Sequence, residues 1–217
     1  MIPVGAEIVK KTRIFLVIAA ILLVIVGVEM VIAYFHDLPV HKSRLGWARE
    51  DAEVKIGGPF TLVDHTGRAV TDEDFRDRYM LIYFGYTFCP DVCPTALQAM
   101  MTAYAALPPE WQGRVVPLFI TIDPERDTVG QMRSYVAAFH PALIGLSGTV
   151  EQTTAAARAY RTYFAKVKPE DDRPYLVDHS AIIYLMDPKG RYYAHFSHGT
   201  SAETLHDKLK GLPWPAD

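Results

Sequence analysis

The chain contains only two cysteines, and three residues separate them in the stretch YFGYTFCPDVCPT. Both Cys89 and Cys93 precede a proline, which disfavours helical backbone at the residue before it. Pro94 suits the first position of a helix, so we expect a helix to begin at the second cysteine, with both thiolates outside it. The unpaired N–H groups and partial positive charge at a helix start favour thiolate over thiol. A thiolate can bind a metal ion or attack a disulfide.

The spacing of the cysteines does not decide between a metal site, a redox couple and a disulfide. Three intervening residues are one more than in the C-x-x-C motif of ordinary thiol–disulfide oxidoreductases. The longer loop can hold two sulfurs around one ion or bring them to the roughly 2 Å of a disulfide bond. A purely structural disulfide gains little stability from so short a loop. Asp91, between the cysteines, opposes thiolate formation unless a cation is present, although it can equally accept hydrogen bonds from nearby N–H groups.

A metal site built on two thiolates needs a third ligand, and the chain has eight histidines. His179, in YLVDHSAIIYLMD, lies just before a predicted strand, where the chain can return beside the helix start. A lone histidine is usually a surface or hydrogen-bonded residue, so position alone does not select it. His195 and His198 form an H-x-x-H whose spacing, together with C-x-x-x-C, is not that of a zinc finger. We favour two thiolates and one imidazole, a set suited to Cu(I) and, with an added oxygen or nitrogen ligand, to Cu(II).

The order of predicted elements indicates an α/β fold with helices on both faces of the sheet. Half of the 217 residues are apolar, which is enough for one well-buried domain plus a tail. Strands are predicted at 60–64, 79–86, 115–122, 144–146, 181–186 and 191–196, and helices at 95–107, 129–139, 150–164 and 202–210. The cysteines therefore follow the first central strand and precede a helix, the place where α/β folds build their sites.

An apolar segment near the start of the chain predicts a membrane anchor. Residues 14–35 contain one charge in 22 positions, and as a helix they would reach roughly 33 Å, the thickness of the hydrocarbon core. A cleaved signal peptide is the alternative. The apolar part is longer than such peptides have, and no A-x-A site follows it.

The basic residues before this segment predict its orientation. They keep residues 1–13 in the cytoplasm and place everything after the span on the outer face, which in a bacterium is the periplasm. We therefore expect a single-pass protein of the inner membrane, with a tether at 36–56 and a domain at 57–217. The net charge of −3 leaves no basic surface for a nucleic acid.

Three segments together resemble the signature of the Sco/SenC family of membrane-anchored copper proteins. They are FGYTFCPDVCPT, TIDPERDT (Thr121–Thr128) and YLVDHSAIIYLMDPKG (Tyr175–Gly190). The resemblance runs from about Pro59 onward. It implies a thioredoxin-like fold with a central mixed sheet and flanking helices, in which the residues matching Cys89, Cys93 and His179 bind copper.

The resemblance also implies which residues surround the site and what the protein does. Asp123 and Asp178 match family aspartates near the copper and, with Asp91, are candidates for supporting the ligands or docking a partner. Family members deliver copper to the CuA site of the cytochrome c oxidase subunit that faces the same compartment, or reduce its cysteines. We expect a metallochaperone rather than an enzyme. A thiol–disulfide reductase acting through a Cys89–Cys93 disulfide is the alternative, and copper or redox sensing is a third.

The expected partners follow from this function. They are the CuA-bearing subunit and, upstream, a periplasmic copper carrier or a thiol reductant.

Overall fold

The structure, a computed structural model, describes residues 23–31, 55–168 and 173–214. The chain divides into two units, residues 1–53 and residues 54–217. In the first unit, residues 23–31 are helical. In the described part of the chain, no helix is both long enough and apolar enough to cross a membrane. The predicted cytoplasmic segment, and most of the predicted anchor and tether, lie outside the described residues.

The second unit is an α/β domain. Its described strands are β1 (Thr61–Asp64), β2 (Ala69–Thr71), β3 (Tyr79–Gly85), β4 (Val115–Thr121), β5 (Ile144–Ser147), β6 (Phe164–Val167), β7 (Leu176–His179), β8 (Ile183–Met186) and β9 (Tyr192–Phe196). Its described helices are α1 (Val92–Ala105), α2 (Pro109–Gln112), α3 (Val129–Ala137), α4 (Val150–Ala159) and α5 (Ala202–Lys210), with a 3-10 helix at Asp72–Phe75.

Seven of these strands form one mixed sheet in the order β2-β1-β5-β4-β3-β8-β9. The central strands β3, β4 and β5 are parallel, and β1 and β8 pair with them in the antiparallel sense. Every residue of β3 and β4 is buried, which explains their continuous apolar sequences. The predicted α/β fold with a central mixed sheet is thus confirmed.

The hairpin β8–β9 is confirmed as predicted from its turn sequence. The Asp187 carboxylate accepts hydrogen bonds from the backbone N–H groups of Lys189 and Arg191, each 2.9 Å long. Gly190 has a φ of 72°, which glycine adopts without strain. Local hydrogen bonding by an aspartate and a left-handed glycine therefore define this turn.

The segment after α4 differs from the prediction. The helix predicted over 150–164 ends at Ala159, because Arg161 takes a left-handed φ of 58° and the chain then enters β6. β6 pairs with β7 in an antiparallel, two-stranded sheet separate from the main one. Neither β6 nor β7 was predicted, since their sequences border a charged loop. His179 is the last residue of β7.

Replacing Arg161 with glycine is expected to stabilise the domain. Left-handed backbone costs an L-residue roughly 1–2 kcal/mol, whereas glycine adopts it freely. Allowing for the greater freedom of glycine in the unfolded chain, Arg161→Gly should raise the free energy of unfolding by about 0.5–1 kcal/mol. Arg158→Gly, which removes the same side chain from within α4, should lower it by about 1 kcal/mol. Urea unfolding measures both, and a loss of stability in Arg161→Gly would contradict the backbone argument.

Candidate functional site

The cysteines lie where β3 ends and α1 begins. The helix starts at Val92 with Asp91 as its N-cap, so Cys93 is already in the first turn. The prediction that the helix begins at the second cysteine and leaves both thiolates outside was therefore wrong for Cys93. Pro94, the third residue of the helix, is tolerated because the first four N–H groups of a helix have no intrahelical partner. The Asp91 side chain accepts a hydrogen bond from the Thr95 hydroxyl at 3.4 Å and does not cap the helix.

The sulfur of Cys93 lies directly against the end of β3. A Cβ atom placed on Gly85 would be 2.6 Å from that sulfur, and 3.0 Å from ring atoms of both Phe119 and Tyr83. Since real Cβ atoms do not approach other atoms so closely, only glycine fits under the sulfur. The Cys93 side chain is fully buried as a result.

The two cysteines are not joined in a disulfide, and their pKa values are shifted in opposite directions. The backbone N–H of Cys93 donates to the sulfur of Cys89 at 3.4 Å. Hydrogen bonding from the Cys93 thiol, aided by the N–H groups of Cys93 and Asp91 and by the nearby His179, outweighs burial and lowers the pKa of Cys89 to about 5. The same contact, followed by burial and the charge of Cys89, raises the pKa of Cys93 well above the ordinary value. At neutral pH the half-buried sulfur is a thiolate and the buried one is a thiol.

His179 meets this pair from the end of β7. Its Nδ1 lies 3.1 Å from the carbonyl oxygen of Val177, so Nδ1 carries the hydrogen and donates it. Its Nε2 lies 3.4 Å from the sulfur of Cys93. The ring also packs edge-on against Tyr86, with the centroids 5.7 Å apart. The structure thus brings the two predicted cysteines and the predicted histidine together.

The side chains of Cys89, Cys93 and His179 are neighbours, but their donor atoms do not yet converge on one position for an ion. In the described residues, no group of three His, Cys, Asp or Glu side chains has the arrangement of a metal cage. Bonds from a first-row metal ion such as zinc to sulfur or nitrogen are only about 2.0–2.3 Å long. An ion held by Cys89, Cys93 and His179 together therefore requires these side chains to rotate towards one another.

Tyr83 is a further member of the site, and the sequence analysis missed it. It lies on β3, and its hydroxyl oxygen is 3.9 Å from the sulfur of Cys93 and 3.5 Å from Nε2 of His179. Burial, and then the neighbouring Cys93, raises the pKa of Tyr83, so the hydroxyl keeps its hydrogen. An aromatic residue in a buried strand is indistinguishable from ordinary core in the sequence.

Asp123 links the two-stranded β6–β7 sheet, which carries His179, to the main sheet. Its buried carboxylate accepts hydrogen bonds from Arg126 at 2.5 Å and from the Tyr175 hydroxyl at 2.8 Å. Arg126 donates in turn to the carbonyl oxygen of Tyr175 at 2.9 Å, and its guanidinium lies 3.8 Å from the centre of the Tyr175 ring. Since Tyr175 directly precedes β7, these contacts fix the β6–β7 sheet relative to the end of β4.

Asp127 is a second residue that the sequence analysis missed. It is fully buried and accepts hydrogen bonds from the Thr87 N–H at 3.1 Å, the Thr87 hydroxyl at 2.6 Å and the Thr121 hydroxyl at 2.6 Å. Burial raises its pKa despite these bonds. Thr87 lies two residues before Cys89, so Asp127 holds the start of the cysteine loop. Its position in TIDPERDT was the available signal, although the sequence does not reveal which of the two aspartates faces the loop.

A cleft of about 450 Å³ opens over Cys89 and His179. The exposed residues Asp91 and Asp178 both line it, as does His198, which the sequence analysis left out of the site. His195, the other histidine of the H-x-x-H, contacts Tyr192, whose hydroxyl oxygen lies 2.5 Å from Nδ1 of His195.

A second groove, of about 380 Å³, shares two of the cleft's lining residues. Val167 and Leu176 line both, and in this second groove they are joined by Phe88, the residue before Cys89. The Phe88 side chain is 51% exposed. The half-buried sulfur of Cys89 therefore lies beside an apolar rim, which consists of Phe88, Val167 and Leu176.

The acidity of Cys89 predicts an unusual pH profile for alkylation. Iodoacetamide reacts with the thiolate, so a pKa of about 5 keeps the rate nearly constant from about pH 8 to about pH 6 and halves it at about pH 5. Mass spectrometry should locate the modification on Cys89, with Cys93 protected by burial. In Cys93→Ala the principal hydrogen-bond donor is gone, so the midpoint should move up towards about 8.5, the ordinary value for cysteine. A wild-type midpoint already near that value would contradict the proposed contact.

Comparison with known proteins agrees with this fold. A model of the SCO1/SenC family matches residues 48–213. The mitochondrial SCO2 homolog of Bos taurus is 44% identical over 159 residues, which are 70% of this chain and 58% of that protein, so the chain spans little more than half of that relative's length.

Two solved structures with copper bound are also similar. ScoI of Bradyrhizobium japonicum is 42% identical, with 71% of this chain and 98% of that one covered at a TM-score of 0.66. ScoI of Arabidopsis thaliana is 41% identical, with 71% and 96% covered at a TM-score of 0.66. With its family signature, its mixed sheet and its paired cysteines at the end of β3, this chain belongs to the SCO1/SenC family.

Proposed function

We propose that this protein is a copper metallochaperone that binds one copper ion through Cys89, Cys93 and His179. The observation that carries the proposal is the contact of Nε2 of His179 with the sulfur of Cys93 at 3.4 Å, beside a second sulfur that is already a thiolate. Two thiolates and an imidazole suit Cu(I), and with one more oxygen or nitrogen ligand they can also hold Cu(II). The similarity to copper-bound ScoI structures supports copper as the ion.

The proposed recipient is the CuA site of cytochrome c oxidase during its assembly, as the family resemblance implies. Transfer would proceed by ligand exchange, in which thiolates of the recipient replace those of the carrier one at a time. Cys89 is the natural ligand to leave first because its sulfur is half-buried and faces the cleft, whereas Cys93 is fully buried. The apolar rim of Phe88, Val167 and Leu176 offers the recipient a surface next to that sulfur. The exposed carboxylates of Asp91 and Asp178 are the corresponding polar contacts.

The proposed location is the periplasmic face of the inner membrane. Residues 14–35 form the anchor in this proposal, residues 1–13 remain in the cytoplasm, and the domain extends from the tether at 36–56. The single charge in 22 residues and the helical conformation of residues 23–31 support an anchor. An upstream periplasmic copper carrier or thiol reductant would then reach the domain from the same compartment.

The ligand set is tested by removing one side chain at a time. We expect Cys89→Ala, Cys93→Ala and His179→Ala each to lose the stoichiometric copper that the wild type retains in competition with a Cu(I) chelator, because each removes a donor atom. His195→Ala is the matched control, since its imidazole neighbours Tyr192 and not the cysteines. Circular dichroism checks that all four remain folded, and full retention of copper by His179→Ala would remove that residue from the site.

A thiol–disulfide reductase is the second candidate function, and the asymmetric cysteines favour it. A half-buried thiolate can attack a substrate disulfide, and the neighbouring buried thiol can then resolve the mixed disulfide. The substrate disulfide gains two electrons, Cys89 and Cys93 are oxidised to a disulfide, and an external thiol reductant must restore them. Such a reductase needs both cysteines but has no need of His179.

Complementation separates the two functions. In a bacterial strain lacking this protein, we expect oxidase activity to be restored by added copper and not by a thiol reductant alone. We also expect His179→Ala to fail to complement the strain, because a carrier needs its third ligand. Complementation by His179→Ala, together with rescue by reductant, would favour the reductase instead.

A further inference from the structure

Tyr83 is a buried tyrosine whose hydroxyl lies between two of the proposed copper ligands. The side chain is 0% exposed. The hydroxyl oxygen is 3.5 Å from Nε2 of His179 and 3.9 Å from the sulfur of Cys93, and these two atoms are themselves 3.4 Å apart. The three polar atoms therefore form a closed triangle. A buried hydroxyl needs a partner to offset its desolvation, and among the described residues these two atoms are the hydrogen-bond partners of Tyr83.

The hydrogen atoms available to the triangle limit what it can do. Nδ1 of His179 donates to the carbonyl oxygen of Val177, so Nε2 is an acceptor. The thiol hydrogen of Cys93 is directed to Cys89, which leaves the hydroxyl hydrogen of Tyr83, and it has two neighbours that can accept it. Both distances lie at the long end of hydrogen bonding, so a small shift in the site is enough for either neighbour to accept the hydrogen.

The ring of Tyr83 is held in place by the core. Its backbone lies opposite Phe119 on β4 and Ile183 on β8, in the middle of the main sheet. The rings of Tyr83 and Phe119 are stacked, with an interplanar angle of 16° and centroids 6.4 Å apart. A rotation about the C–O bond is then enough to redirect the hydrogen, while the oxygen stays where it is.

We propose that Tyr83 is a positioning residue that donates its hydroxyl hydrogen to Nε2 of His179 in the copper-free protein and to the sulfur of Cys93 in the copper-bound protein. The proposal rests on the proposed function, because copper would occupy the lone pair of Nε2 and leave the sulfur as the acceptor. In the copper-free protein the hydroxyl orients the imidazole towards the sulfurs. In the loaded protein it donates to a thiolate, and hydrogen bonds to charged acceptors are stronger than those to neutral ones. Tyr83 therefore helps to set how tightly the copper is held.

Tyr83→Phe removes only the hydroxyl and tests the loaded state. We expect Cu(I) release to a chelator to become about tenfold faster, the effect of one hydrogen bond of ordinary strength. In the Cu(II) form, loss of a hydrogen bond to the thiolate should move the sulfur-to-copper charge-transfer band to longer wavelength. Tyr135→Phe is the matched control, because the Tyr135 hydroxyl is also buried, its ring packs on Phe119, and within the described residues it has no hydrogen-bond partner. Equal release rates and band positions for the two variants would overturn the proposal.

The copper-free state is tested by ¹⁵N NMR of the histidine side chains. In the wild type we expect Nε2 of His179 to resonate as an unprotonated nitrogen that accepts a hydrogen bond. The Nε2 signal should move downfield in Tyr83→Phe and stay unchanged in Tyr135→Phe. A protonated Nε2 in the wild type, or an unchanged signal in Tyr83→Phe, would overturn the proposal, and the wild-type measurement does not depend on how well either variant folds. A wild-type protein that binds no copper would refute the proposed function separately, since this spectrum is recorded without the ion.

Discussion

The position of His179 depends on a buried ion pair at some distance from the sulfurs. The histidine belongs to the two-stranded β6–β7 sheet, whereas the cysteines follow β3, one of the parallel strands of the seven-stranded sheet. Asp123 at the end of β4 binds Arg126 and Tyr175, and Arg126 binds the backbone just before β7. A buried charge that loses its partner destabilises a protein by about 3–5 kcal/mol, so these groups stay together. The pair thereby joins two separate sheets at one site.

The two cysteines divide the chemistry between them because their surroundings differ. The sulfur nearer to solvent carries the negative charge, and the sulfur in the core keeps its proton. This arrangement avoids an unpaired charge in the interior, which is unfavourable wherever water is excluded. It also means that the same pair can begin either a metal exchange or a disulfide exchange at Cys89, so the geometry of the cysteines alone does not separate a carrier from a reductase. His179 is the residue that distinguishes the two functions, because a carrier needs it as a ligand and a reductase does not.

Local patterns predicted much of this molecule, and contacts between distant segments account for what they missed. The apolar runs of β3 and β4 and the turn at Asp187 are local signals, and they placed the cysteine loop correctly between a strand and a helix. β7 forms through pairing with β6 and through contacts of Tyr175 with Asp123, which no short window of sequence contains. The burial of Asp127 likewise depends on donors from Thr87 and Thr121, which come from different strand ends. The motif identified the ligand candidates, but not the residues that hold them in position.

The close packing of Gly85 against the Cys93 sulfur limits the side from which the site can be reached. Because Gly85, Phe119 and Tyr83 close off the inner side of the Cys93 sulfur, an ion bound there as we propose would enter and leave past Cys89 and His179, which line the cleft. Arrival and departure must therefore share one face. In the proposed carrier, a recipient seated on that face would cover the opening, so the ion would pass between the two proteins without an interval in water.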